Sequence, residues 1–113
     1  LEAQIVGGAY MMKKDEACYI AGESRNGRIE NIRKHFSVPR LVDGVGTGIM
    51  LIQRKVLETM ADPWFTIIDK PRLEVMPEDF EFCRKAKELG FKVALDPRFE
   101  THHFGQFSWS HLV

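Results

Sequence analysis

The sequence has no surplus of charge of either sign: 16 Lys and Arg stand against 16 Asp and Glu. Proteins that hold nucleic acid or an anionic membrane usually carry a basic excess, so this balance speaks against both partners. Cysteine is scarce. Cys18 and Cys83 lie far apart with no Cys-x-x-Cys spacing, and they read as reduced thiols acting as small apolar residues. No apolar run approaches the roughly 20 residues a membrane helix needs, and no signal-peptide pattern is visible. These absences predict a cytoplasmic protein, or the soluble part of a larger membrane-attached one. There is no internal repeat or low-complexity segment. There is also no Asp-x-Asp and no G-x-x-x-x-G-K-[ST] phosphate loop.

What is present reads as a globular α/β chain. With 113 residues, 44% of them apolar, residues 1–113 form a single domain or a fragment. The chain opens almost directly on the strand-like run Ile5–Met12 with no initiator Met, which reads as a fragment boundary. Gly7-Gly8 in that run marks a bend or a close backbone approach. Ala17–Ala21 reads as a second strand that makes a hairpin with the first. Gly22–Lys34 is polar and the least ordered part on composition. Leu41–Val45 and Thr47–Gln53 read as strand, Gly-rich turn, strand. Val56, Leu57 and Met60 sit at helical spacing over about Arg54–Ala61, and Asp62-Pro63 ends that helix.

Glu78–Leu89 is the strongest helix signal. Phe82, Ala86 and Leu89 share one face, Glu81/Lys85 and Arg84/Glu88 are i,i+4 pairs on the other, and Gly90 suits the stop. Phe91–Leu95 and Phe99–His103 read as strands broken by Asp96-Pro97. The order predicts a mixed sheet with two helices.

Four groups of residues could carry chemistry. Glu78 and Asp79 open the long helix, where acids are stabilised by free N–H groups and the macrodipole. The same position would hold a carboxylate rigid and ionised as a general base. His102 and His103 point to opposite faces of a strand, so one at most faces a given site. Either packs as an ordinary strand residue or supplies one imidazole to a divalent ion, which would want mostly oxygen ligands besides. Gly44-Val45-Gly46-Thr47-Gly48 is a tight turn, or a surface where glycines let a sugar or acceptor approach the backbone. Trp64-Phe65 is core, or the wall of a pocket. His35 and His111 have no motif context.

The order of these blocks resembles the second half of a GT-A-type glycosyltransferase, family 2-like. The matching blocks are Gly46-Thr47-Gly48-Ile49-Met50-Leu51-Ile52, Pro63-Trp64-Phe65, Glu78-Asp79-Phe80-Glu81-Phe82-Cys83-Arg84, Gly90-Phe91-Lys92, Asp96-Pro97 and His103-Phe104-Gly105. They cover roughly residues 41–105, and Ile5–Met12 is similar to the strand that follows the metal motif in some members.

The resemblance implies a partial GT-A (nucleotide-diphospho-sugar transferase-like) fold and transfer of a sugar to an unknown acceptor in a full-length enzyme. It assigns Asp79 as catalytic base with Glu78 beside it, Gly46, Thr47, Gly48, Trp64 and Phe65 to the acceptor side, and His103 as metal ligand with His102 as fallback. It implies Mn or Mg in the full enzyme and no metal held tightly by this chain. The nucleotide-binding half and its Asp-x-Asp are not in the sequence, so the chain alone is expected to be inactive, and to form homo-oligomers through an exposed sheet edge. The competing expectation is a non-catalytic carbohydrate- or protein-binding α/β module.

Overall fold

The computed structural model describes residues 2–9, 21–25, 28–33, 36–66, 77–99, 103–104 and 108–109. Along the chain run β1 (Ile5–Gly8), β2 (Ala21–Arg25), β3 (Arg28–Asn31), β4 (Arg40–Val42), β5 (Gly44–Val45), β6 (Met50–Ile52), α1 (Arg54–Thr59), α2 (Glu78–Glu88), β7 (Val93–Asp96), β8 (His103–Phe104) and β9 (Ser108–Trp109). The fold is mixed α/β, as the order of elements in the sequence predicts.

The central sheet has the order β4-β7-β1-β6. Its inner pair, β1 and β7, is parallel, and the outer strands are antiparallel to their neighbours. Parallel strands are usually covered on both faces and read as continuous apolar runs, as Ile5-Val6-Gly7-Gly8 and Val93-Ala94-Leu95 do. The register places Val42, Val93, Ile5 and Ile52 in one row across the sheet. That row packs in one core with Phe82, Cys83 and Ala86 of α2 and Val56 of α1. The opposite face carries the row Leu41, Ala94, Val6 and Leu51. Its two ends, on the edge strands, are exposed.

A second, antiparallel sheet has the order β3-β2-β5, and β8 pairs with β9. The expected strand Leu41–Val45 is therefore two strands in two sheets, since β4 pairs with β7 and β5 with β2. Asp43 bends the chain between them. Its N–H donates to the Gly22 carbonyl at 2.9 Å, and its carboxylate accepts from the Ser24 N–H and from Lys87.

The hairpin expected between Ile5–Met12 and Ala17–Ala21 is not what the described residues form. The neighbours of β1 are β6 and β7. Residues 17–20 lie outside the described residues, and Ala21 pairs with Val45. The polar stretch read as least ordered instead holds β2 and β3, paired from Gly22↔Asn31 to Arg25↔Arg28. Gly7 and Gly8 continue β1, and close approach is what they serve. A Cβ on Gly7 would lie 2.5 Å from the Val45 Cβ, because β5 crosses the core face there.

The helix α2 ends as Gly90 predicts. Gly90 has φ 91°, its N–H donates to the Lys87 carbonyl at 3.0 Å, and the Phe91 N–H donates to the Ala86 carbonyl at 3.1 Å. This pair of bonds is the Schellman stop. It also corrects the expected core face: Leu89 is the C-cap and exposed, while Phe91 folds back past the glycine and packs against the core.

Candidate active site

The first turn of α2 is seated on β5. The Phe80 ring lies over a pair of glycines facing each other across two strands, Gly22 and Gly44. A Cβ on Gly44 would come within 3.0 Å of the ring, and one on Gly22 within 3.2 Å of it. Lower on the same helix, the buried Cys83 thiol points to the Val45 carbonyl, 4.0 Å away. These contacts bring the helix start to the turn that follows β5, where Gly46 is buried and Thr47 and Gly48 are exposed.

Asp79 sits at that junction, half-buried. Its Oδ1 accepts the Phe80 N–H at 2.8 Å. The sequence treated the acid pair and the glycine turn as separate blocks; the fold joins them. The helix start favours the ionised form of Asp79, and its burial acts against it. Burial pushes its pKa up and the charge of Glu78 adds to that. The N–H groups of Phe80 and Thr47 oppose the rise without cancelling it. Glu78 itself is exposed.

Trp64 and Phe65, each partly exposed, lie against this helix and the end of α1. The Trp64 indole N–H donates to the Met60 carbonyl at 3.1 Å, Phe65 stacks on Phe82 with ring centroids 4.5 Å apart, and Lys85 reaches the Pro63 carbonyl at 2.8 Å. Lys85 is thus not the partner of Glu81. Glu81 is buried and binds Arg84, whose Nε lies 2.9 Å from Oε1 and 3.0 Å from Oε2. A guanidinium fork three residues on fits a carboxylate better than a lysine point charge.

The histidine candidates are not among the residues that build this junction. His103 is placed by its backbone in β8, opposite Trp109, and His102 lies outside the described residues. Among the described residues no three His, Cys, Asp or Glu side chains are grouped to hold a metal. Several carboxylates are already engaged. Asp96 takes both Arg98 Nε and Nη2, at 2.9 and 2.8 Å, and this contact holds its pKa below the usual carboxylate range. Burial alone would raise Asp43, but the hydrogen bonds from Lys87 and Ser24, with the Lys87 charge, hold it low. Burial pushes the Cys83 thiol up to about 11, which makes it a packing residue rather than a nucleophile. A shallow concavity of about 300 Å³ between β2, β4 and the end of α2 is lined in part by Asp43 and Lys87, which neutralise each other. None of the candidate site residues named from the sequence lines it.

No family model matches the sequence, and no curated protein matches it. Among solved structures, the chain is similar to the crystal structure of A197 from STIV, with a TM-score of 0.66 and 22% identity. The alignment covers 91% of this chain and 44% of that one, so the chain spans less than half the length of that neighbour. At this identity the likeness concerns the fold alone.

Proposed function

We propose that this chain is the acceptor-side part of a GT-A-type, family 2-like glycosyltransferase that uses a nucleotide-diphospho sugar, with Asp79 as general base. The observation that supports this reading is the seating of the first turn of α2 on β5, with Phe80 over Gly44 and Cys83 against the Val45 carbonyl, which brings the half-buried Asp79 toward the Gly46-Thr47-Gly48 turn. In an inverting transfer the acceptor oxygen bonds to the anomeric carbon while its proton passes to Asp79. The bond from that carbon to the diphosphate breaks, and its electron pair leaves on the nucleotide. A carboxyl raised from its ordinary value is a stronger base when ionised, the direction that general-base catalysis favours. Glu78 raises it further, and Trp64 and Phe65 offer partly exposed aromatic surface on the acceptor side. Substituting Asp79 in the full-length protein tests the proposal.

The described residues do not complete a metal site around His103, so no step above runs through a metal. In the proposed full-length enzyme, Mn²⁺ or Mg²⁺ would neutralise the departing diphosphate, with oxygen ligands from the nucleotide-binding half. Calorimetry on this chain should then detect neither Mn²⁺ nor a UDP-, GDP- or TDP-sugar at low micromolar affinity, about −8 kcal/mol. In the full-length enzyme His103→Ala should weaken the metal dependence more than His102→Ala. The reverse order would mean that the strand presents the other imidazole.

The proposed partner of the open sheet edge is a second copy of the chain. Among the described residues β6 is an edge strand, with unpaired backbone groups along its outer side and Leu51 64% exposed beside them. Two such edges meet about a two-fold axis without further complementarity. Light scattering at millimolar concentration should report a dimer, and Leu51→Lys should return it to monomer. A monomeric parent chain would end this part of the proposal.

A further inference from the structure

We propose that Arg98, held by Asp96 at the carboxyl end of the parallel pair β1 and β7, is the side chain that receives the diphosphate of the sugar donor. The proposal rests on the reading of this end as the reacting one, and it names a cation that this end supplies. The placement follows from the strand pairing. Gly8 and Asp96 are the last partners of β1 and β7 and lie side by side. On the other side of β1, the Gly8 N–H donates to the Ile49 carbonyl at 3.0 Å. The Gly46-Thr47-Gly48 turn leads into β6, so it lies at the same end. The chain reverses at Gly90, and Phe82 and Ala86 of α2 share one core with Val93 and Leu95 of β7. The helix therefore runs back along that strand, and its start, with Asp79, lies where β7 finishes. In open α/β sheets, ligands bind beyond the carboxyl ends of the strands.

The side chain is held as a receptor would be. Asp96 is buried. Its Oδ1 accepts the Arg98 N–H at 3.0 Å and Nε at 2.9 Å, and its Oδ2 accepts Nη2 at 2.8 Å. A guanidinium carries five N–H groups. Asp96 takes one from Nε and one from Nη2, which leaves both on Nη1 and the second on Nη2. Among the described residues these have no partner, and the side chain is 67% exposed. Parallel N–H groups on the Nη1–Nη2 edge match two oxygens of a phosphate. The buried carboxylate behind fixes where that edge points, so little freedom is lost on binding. Arginines elsewhere lack this combination. Arg84 spends Nε and Nη2 on Glu81 and Nη1 on Glu88. Arg40, opposite Leu95 and so at the same end, is taken up by Glu23 and the Phe36 ring. Arg54 has only the exposed Glu58 to hold it. Glu78 and Asp79 open α2 at this end, and a polyanion beside two acids needs a fixed counter-charge.

The test titrates this chain with inorganic pyrophosphate, at constant ionic strength and without divalent metal. Binding is followed by ¹H–¹⁵N NMR of the arginine side chains. Saturable shifts of the Arg98 Nε and Nη signals are expected, in about the millimolar range for a single arginine, with the Arg84 signals unmoved. Arg98→Ala should weaken binding about tenfold or more, because a charge-assisted pair of hydrogen bonds is lost. Arg98→Lys keeps the charge without the fork and should recover only part of that loss. Arg54→Ala should bind as the parent does. Parental affinity in a folded Arg98→Ala overturns the proposal. If that variant does not fold, because Asp96 is left buried and unpaired, the parent chain decides. Arg98 signals that stay still, or that move no more than those of Arg84, overturn it equally. No arm reads sugar transfer. Failure here leaves the general-base proposal standing, and a catalytically silent Asp79 with pyrophosphate on Arg98 leaves this one standing.

Discussion

Asp79→Asn in the full-length protein is expected to transfer sugar about 10²–10⁴-fold more slowly than the parent, the usual loss when a general base is removed. Asparagine keeps the shape and an oxygen for the Phe80 amide, but cannot take a proton. Stability should hardly fall. The folded-state pKa of Asp79 is raised, so the folded protein binds its proton more tightly than the unfolded chain does. Ionisation of Asp79 therefore opposes folding. That penalty appears as pH climbs past the unfolded value near 3.9 and is complete above the folded value. At neutral pH the neutral amide escapes it, which offsets the loss of one oxygen acceptor and of a macrodipole contribution of roughly 0.3–1 kcal/mol. Turnover and melting temperature measured on the same variant separate the two roles. A helix-start acid without catalytic duty predicts near-parental turnover, and that outcome would sink the mechanism. Glu81 is unsuitable as the control on this helix, because it is buried against Arg84. Glu88→Gln on the exposed side is the better one, with parental turnover expected.

Local signals in the sequence were readable where one element could satisfy itself. The helix expected over Glu78–Leu89 runs Glu78–Glu88, because its apolar spacing, acidic first turn and glycine stop are all written within one segment. The helix after Arg54 was equally plain. Pairing across the chain was not. Nothing in Ile5-Val6-Gly7-Gly8 says that Val93–Asp96 will lie parallel to it, since both are apolar runs and either would accept other partners. Asp43 looks like any loop acid until Ser24 and Lys87 are brought to it. The pairing of β2 with β3 is a different failure: both strands are largely polar, and polarity alone reads as disorder.

The site was legible as a set of parts and not as an arrangement. Asp79 and the Gly46-Thr47-Gly48 turn could each be nominated from chemistry and order. Their meeting depends on Phe80 finding a seat, and that seat is made by two glycines from different strands. A sequence displays such glycines without saying what approaches them. The same limit applies to Trp64, whose indole N–H turns out to be spent on a neighbouring carbonyl. It applies also to His103, which the backbone places in a strand pair separate from the central sheet.

Gly7→Ala is expected to destabilise the isolated chain by about 1–3 kcal/mol, the range for forcing extra volume into a packed core. The opposing effect is known in size: alanine for glycine at a compatible site stabilises by roughly 0.4–1 kcal/mol through the unfolded chain. Here the clash should win. The new methyl would lie 2.5 Å from the Val45 Cβ and 2.7 Å from its Cγ1. A Cβ is anchored to the backbone and cannot rotate away, so β1 and β5 would have to separate. That identifies the rescue. Val45→Ala keeps the offending Cβ and should recover little, whereas Val45→Gly in the Gly7→Ala background should cost less than the sum of the two single changes. Gly8→Ala provides a milder contrast on the same strand, since its nearest neighbours are the Ile49 Cγ2 at 2.9 Å and Cβ at 3.1 Å, on a residue that is 39% exposed and less confined than Val45. Gly90→Ala isolates backbone strain from crowding, because Gly90 has φ 91° and nothing within 4 Å of its added Cβ. Its cost should sit near the roughly 1–2 kcal/mol of a left-handed residue and be unaffected by any change at Val45. Thermal melts of these variants give the answer directly: each kcal/mol corresponds to about 4–8 °C for a domain slightly smaller than this one. If Gly7→Ala melts at or above the parent temperature, β5 does not cross β1 as closely as described, and the seat that brings the glycine turn to Asp79 loses its anchor.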